Sequence, residues 1–187
     1  MDIILSTSSY AAAYKPNVAF FEAFGGPGFE LLRKIIDTIP KDIPVILDNK
    51  RGDIYTTAEA YAKSSYEVLA ADAVTLNPYM GSDSIRPFVT GPYTTKGAFV
   101  LCKTSNKSSR ELQTLRLANG SQLYEEVVDR VRDWSSQLSS PLNLGLVVGA
   151  TDPEALVTVR RLAPLSWILC PGVGAQGGTV KVTYNYC

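Results

Sequence analysis

Six short apolar runs, set apart by longer amphipathic or polar stretches, constrain the fold of this chain more than any other feature. They are Ala13–Phe20, Pro44–Asp48, Ala73–Asn77, Ala98–Lys103, Leu144–Val148 and Ser166–Cys170. Runs of this length, bounded by turn residues, read as buried strands. The stretches between them read as helices. Glu30–Thr38 carries Leu31, Leu32, Ile35 and Ile36 on one face, and Gln122–Leu138 does the same with Leu123, Val127, Val131 and Trp134. Thr56–Ala70 is rich in Ala and Glu, with Thr56 or Thr57 to cap it, and Ser82–Val89 is a shorter candidate. Asp152-Pro153-Glu154 opens a helix running to about Leu162, because a capping carboxylate is followed by proline in the first turn. Strands separated by helices form parallel βαβ units with right-handed crossovers. About six such units predict an α/β fold, either a doubly wound sheet or a TIM (β/α)8-type barrel.

The chain has 187 residues, 45% hydrophobic, which suffices for a single domain with one substantial core. Eighteen basic and eighteen acidic residues cancel, so nothing in the charge favours a nucleic-acid partner. No run approaches the roughly 20 apolar residues of a membrane span. Met1-Asp2-Ile3-Ile4-Leu5 has neither the basic start nor the length of a signal peptide. Cys102, Cys170 and Cys187 form no spaced framework, and the first two sit in apolar runs, which fits buried thiols in a reducing cytoplasm. Histidine is absent. Any catalysis therefore rests on Lys, Asp, Glu, Ser, Thr, Tyr or Cys, and the commonest metal ligand is missing.

Polar groups gather where the predicted strands end, the edge on which α/β folds place their sites. The densest cluster is Asp48-Asn49-Lys50-Arg51-Gly52-Asp53, in which Asp48, Lys50 and Asp53 are spaced D-x-K-x-x-D after an apolar run. Buried charge is costly unless paired, and a lysine between two aspartates supplies the pairing. Such a cluster suits a reaction passing through an anionic intermediate, and equally a structural ion-pair network. Lys15 lies in or at the end of the first predicted strand and joins the network if that strand neighbours Pro44–Asp48. Pro171-Gly172-Val173-Gly174-Ala175-Gln176-Gly177-Gly178 is a glycine-rich turn of the kind that lets backbone N–H groups approach a phosphate. Thr104-Ser105-Asn106 can hydrogen-bond a polar ring or simply cap a turn. Ser105–Gly120 reads as a mobile loop over the same edge, a lid candidate.

Taken together these segments resemble the orotidine 5′-phosphate decarboxylase family, in its branch reading L-D-x-K-R-G-D-I-x-x-T-A-x-A-Y-A, here Leu47 to Ala62. Tyr14-Lys15-Pro16-Asn17, Leu76-Asn77-Pro78-Tyr79-Met80-Gly81, Leu101-Cys102-Lys103-Thr104-Ser105-Asn106 and the glycine-rich turn match further family segments in order. The resemblance covers about residues 5–178. It implies a TIM barrel, of which about six βα units are recognisable, and decarboxylation of orotidine 5′-phosphate to uridine 5′-phosphate without metal or cofactor. It implies that Lys15, Asp48, Lys50 and Asp53 form a charged tetrad, with Lys50 the proton donor to C6 and Asp48 beside the substrate carboxylate. It further implies a homodimer in which Asp53, Ile54 and Thr57 reach the neighbouring subunit's site. Ser105 then contacts the pyrimidine, and Gln176, with Gly177 beside it, bridges pyrimidine and phosphate.

The sequence also departs from the family. The first strand, with its ribose-binding aspartate, has no counterpart, and neither has the eighth strand with its phosphate-binding arginine. The barrel is therefore expected to be incomplete, with residues 179–187 a divergent tail. Val180, Val182, Tyr184 and Tyr186 alternate there, which predicts a strand filling part of the gap. Two further readings follow: a sugar-phosphate decarboxylase or aldolase of the same superfamily, working through a metal-bound enediolate, and an inactive truncated subunit paired with a full-length partner.

Overall fold

A computed structural model describes residues 2–186; Cys187, the third cysteine, lies outside them. Five parallel strands form one sheet in sequential order: β1 (Ile46–Arg51), β2 (Ala73–Leu76), β3 (Gly97–Lys103), β4 (Leu144–Val148) and β5 (Ile168–Leu169). Each strand pairs with its predecessor, with Ile46 opposite Ala73, Ala73 opposite Gly97, Ala98 opposite Leu144 and Leu146 opposite Ile168. A doubly wound sheet reverses its strand order at a switch point. This sheet never does, so it is a section of barrel wall.

The helices are α1 (Asp2–Thr7), α2 (Ala19–Glu22), α3 (Gly25–Asp37), α4 (Tyr55–Lys63), α5 (Ser109–Gln113), α6 (Leu123–Ser136), α7 (Pro153–Leu162) and α8 (Val180–Tyr186). Their apolar faces cover one side of the sheet. Leu32 and Ile36 of α3, Ala58 and Ala62 of α4, Val128 and Val131 of α6, and Leu156 and Val159 of α7 are buried there with Leu47, Val74, Val100 and Leu146. On the other side Ile46, Phe99 and Leu101 are only half-buried. Asp152 caps α7 as its sequence predicts, its carboxylate accepting the Ala155 N–H at 3.2 Å. The α6 start is closed by a capping box between Gln122 and Glu125.

Three expectations need correction. The run Ala13–Phe20 is not a regular strand. It does lie parallel to β1: Tyr14 N–H donates to Pro44 at 2.9 Å, Ile46 N–H to Tyr14 at 2.8 Å, and Asp48 N–H to Pro16 at 2.9 Å. Pro16 has no N–H to return a bond to Ile46, so the ladder loses its middle rung. Only isolated bridges remain, Tyr14 to Val45 and Asn17 to Asp48. Asn17 then accepts the Ala19 N–H at 3.1 Å and turns the chain into α2.

The tail is a helix, α8, and not a strand. Arg160 Nε donates to the Tyr186 carbonyl at 3.0 Å, and Tyr186 packs against the core. Alternating β-branched and aromatic residues favour a strand only where a neighbour receives them, and contact with α7 decides otherwise here. The Ser82–Val89 segment forms two separate 3-10 turns, Ser82–Ser84 and Arg86–Phe88. Pro87 lacks the N–H and crowds the carbonyl four residues back, which breaks a continuous helix.

Candidate active site

The site starts from an irregularity in β1. Leu47 pairs with Val74 but Arg51 pairs with Leu76, so β1 carries two extra residues over that interval. Lys50 takes up the excess by entering the left-handed region, at φ 45°, where few non-glycine residues sit. Thr75 on β2 fills the opening. Its Oγ1 accepts the N–H of Asn49 at 3.1 Å and of Lys50 at 2.9 Å, and donates to Asp48 Oδ1 at 3.1 Å. Beyond the bulge, Asn77 N–H donates to Arg51 at 2.7 Å. A Cβ on Gly52 would lie 3.0 Å from Asn77 Cβ, so the crossing is tight enough to favour glycine.

Asp48 is the hub. It is buried, and it accepts Lys15 Nζ on Oδ2 at 2.8 Å and Lys50 Nζ on Oδ1 at 2.5 Å. Burial is the largest single influence on its carboxyl and opposes ionisation. The hydrogen bonds and charges of Lys15 and Lys50 together outweigh burial and hold the carboxyl below the usual range. The two ammonium groups remain partly exposed, and Lys50 lines a cavity of about 160 Å³ with Asn17, Val18 and Glu22. Arg51 pairs with Glu22 and lies 4.8 Å from the centre of the Tyr61 ring, which ties the site to α2 and α4.

Lys15, Asp48 and Lys50 are thus brought together. Asp53 is not: its Oδ1 accepts the adjacent Ile54 N–H at 2.8 Å, and it makes no ion pair among the described residues. Ile54 and Thr57 are exposed on the same turn and the start of α4.

A second group forms beyond β3, β4 and β5. Thr151 Oγ1 donates to the Ser105 carbonyl at 3.1 Å. A Cβ on Gly172 would lie 3.1 Å from Gln176 Oε1 and 3.2 Å from Ser105 Cβ, so Ser105, Gln176 and Thr151 surround that glycine. Gly172, Gly174 and Gly177 all have positive φ, and the loop closes on itself through Gly178 N–H to Gly172 at 2.9 Å and Gly177 N–H to Gly174 at 2.8 Å. Asp48 and this group occupy the same edge of one parallel sheet, the carboxyl ends of its strands.

The Ser105–Gly120 stretch is more ordered than a bare loop. It contains α5, and Gln113 grips Thr104 through both its amide oxygen and nitrogen at 2.8 Å. Beneath it, one of the polar residues gathered at the strand ends has partners that its sequence position does not show. Lys103 is buried, donates to Ser109 Oγ at 2.8 Å and pairs with Asp152 at 3.3 Å. The available signal was a lysine closing an apolar run. A larger cavity of about 550 Å³ lies away from these charges, between Tyr79, Leu101, Leu112, Tyr124 and Trp134. The charged residues lining it, Glu126 and Arg130, pair with each other at 2.6 Å. Among the described residues no cluster of three or more His, Cys, Asp or Glu side chains is placed to hold a metal ion. No helix among them is long and apolar enough to cross a membrane.

Comparison with known proteins points the same way. Residues 1–182 match the orotidine 5′-phosphate decarboxylase / HUMPS family. The orotidine 5′-phosphate decarboxylase of Roseiflexus sp. (strain RS-1) is 50% identical over 182 residues, covering 97% of this chain. The chain spans 64% of that relative's length. Among solved structures, Leishmania donovani UMP synthase superposes with a TM-score of 0.92 at 52% identity, over 99% of this chain and 40% of that one. Leishmania donovani OMP decarboxylase does so with a TM-score of 0.89 at 49% identity, over 99% and 70%.

Proposed function

Because this chain belongs to the orotidine 5′-phosphate decarboxylase / HUMPS family, we propose that its protein converts orotidine 5′-phosphate to uridine 5′-phosphate in pyrimidine biosynthesis, as a cofactor-free carboxy-lyase. The observation that carries this reading is the Lys15–Asp48–Lys50 cluster: one buried carboxylate held between two ammonium groups at a strand's carboxyl end. Breaking the bond between C6 and the carboxylate leaves the electron pair on C6. The Lys50 ammonium stabilises that charge and then delivers its proton to the carbon. Asp48 orients Lys50, and departure of carbon dioxide relieves its repulsion with the substrate carboxylate. Lys15 keeps Asp48 ionised while both are partly desolvated.

Ser105 contacts the pyrimidine. Gln176 and Gly177 bring the phosphate-end loop to it, and phosphate binding there contributes energy remote from the reacting carbon. Among the described residues Asp53 has no partner lysine, and it stands beside exposed Ile54 and Thr57. That supports their service to the site of a second subunit in a homodimer. Cys102, a buried free thiol donating to the Tyr124 carbonyl at 3.3 Å, fits a reducing cytoplasmic setting.

The test is the decay of orotidylate absorbance with purified protein, with and without a chelator. Turnover that survives chelation and falls by about 10⁴-fold in Lys50→Ala is the expected result, since one change removes both charge stabilisation and the proton source. Turnover retained in Lys50→Ala, or abolished by chelator, overturns the mechanism. The second outcome would favour the metal-dependent sugar-phosphate chemistry of the superfamily.

A further inference from the structure

The left-handed turn at Lys50 needs a cause. A non-glycine residue stays at φ 45° only where its surroundings leave no alternative. Across from the bulge, the N–H groups of Asn49 and Lys50 both end on one side chain. Thr75 is almost wholly inaccessible and comes from the neighbouring strand. Its hydroxyl has one proton and two lone pairs, and all three are used: two accept the consecutive N–H groups of Asn49 and Lys50, and the proton goes to Asp48 Oδ1. The same Oδ1 receives Lys50 Nζ. One hydroxyl therefore fixes both the backbone that carries Lys50 and the carboxylate that Lys50 pairs with.

We propose that Thr75 is a positioning residue for the decarboxylation: its hydroxyl sets the left-handed turn of Lys50 and the orientation of Asp48, so that the ammonium is delivered to one place. The role in catalysis rests on the reading of Lys50 as proton donor; the coupling of Thr75 to Asp48 and Lys50 does not. Valine keeps the shape of threonine but offers no lone pair to the two N–H groups and no proton to the carboxylate. Serine keeps all three bonds. The charged groups facing Asp48 are Lys15 from the 14–18 segment and Lys50 from β1, while Glu22 of α2, on the same cavity, is engaged by Arg51. With those unchanged, losing the Thr75 proton removes a hydrogen bond to the charged form of Asp48. Its titration midpoint therefore rises.

The test combines carbon-13 titration of the Asp48 carboxyl, amide hydrogen exchange at Asn49 and Lys50, and turnover, for the unmodified chain, Thr75→Val and Thr75→Ser. In the unmodified chain both amides should exchange slowly. In Thr75→Val the Asp48 midpoint should rise and both amides should exchange about threefold to tenfold faster, the range expected from one lost hydrogen bond between neutral groups. With orotidylate as substrate, kcat should fall about 10- to 100-fold in Thr75→Val with KM within about twofold. Thr75→Ser should restore all three. Unprotected Asn49 and Lys50 amides in the unmodified chain overturn the proposal without any variant, even if Thr75→Val fails to fold. An unshifted Asp48 midpoint in a folded Thr75→Val chain also overturns it. Absence of turnover in the unmodified chain refutes the proposed function instead, and the titration and exchange arms still decide the coupling.

Discussion

Lys103 and Asp152 meet at 3.3 Å, and the lysine side chain is only 3% exposed, so a buried ammonium ties the end of β3 to the cap of α7. Its second partner, Ser109 at 2.8 Å, brings α5 into the same knot. Ser105 lies between these anchors. Removing one member of a buried pair leaves the other charge without compensation, which is far costlier than replacing both. Lys103→Met should destabilise the fold by about 3 kcal/mol, at the lower end of the range for buried pairs because Asp152 keeps some solvent contact. Lys103→Met combined with Asp152→Asn should return to within about 1 kcal/mol of the unmodified chain. Urea unfolding of the single and double variants decides this: a single variant as stable as the unmodified chain would show that the pair holds nothing.

That knot also marks where sequence reading stops. The strands were legible because each is a run of apolar residues, and Leu144–Val148 has its predicted bounds. Asp152-Pro153 was legible as a helix start because capping is local chemistry. The Lys103–Asp152 pair was not, because it joins residues on different elements whose proximity only the sheet order creates. The Ala13–Phe20 run misled because its apolar character outweighed one proline, and the single missing N–H of Pro16 is enough to interrupt a ladder. The Val180–Tyr186 alternation misled because β propensity depends on a receiving neighbour, and α7 supplied a different one. Asp48 and Lys50 were legible as a pair from their spacing. The means of pairing was not: a bulge, a left-handed Lys50 and a threonine from the next strand.

Stability should fall with acid through Asp48. Its carboxyl titrates below the ordinary value of 3.8 in the folded chain, against burial, because Lys15 and Lys50 favour its charged form. A depressed folded pKa gives stability that is fully present above the unfolded value and is lost as pH falls through the folded one. The melting temperature of the unmodified chain should therefore drop more steeply than that of Asp48→Asn once pH goes below 3.8. Lys15→Met should shrink that drop, because losing one of the two partners that oppose burial brings the folded titration closer to the unfolded one. Parallel melting curves for the unmodified chain and Asp48→Asn across this range would show that Asp48 contributes no such linkage.

The outer edge of β5 should make the 187-residue chain self-associate when prepared alone. Among the described residues β5 pairs only with β4, and Leu165 and Trp167 beside it are 82% and 66% exposed. An unpaired edge flanked by apolar side chains is a template for another chain. Light scattering should report concentration-dependent association, and Leu165→Lys with Trp167→Lys should reduce it, since charge on an edge opposes pairing. A monodisperse unmodified chain at high concentration would mean that this edge is already protected.

The isolation of Asp53 makes a sharper test of assembly. Within one chain Lys15 and Lys50 both turn to Asp48, and among the described residues Asp53 holds only the adjacent Ile54 N–H. If Asp53 completes the site of a partner subunit, a Lys50→Ala chain and an Asp53→Ala chain are each inactive as homodimers for different reasons. In a mixed dimer one site contains Lys50→Ala from one subunit and Asp53→Ala from the other, and the second site contains neither defect. Mixing the two inactive variants at equal concentration, with exchange allowed to finish, makes about half the dimers hybrid. One of two sites is then intact in each, so about a quarter of the unmodified turnover should return. Mass spectrometry of the mixture verifies that hybrids have formed. Hybrids without recovered turnover would place Asp53 in the site of its own chain, and the homodimer would no longer be needed to complete it.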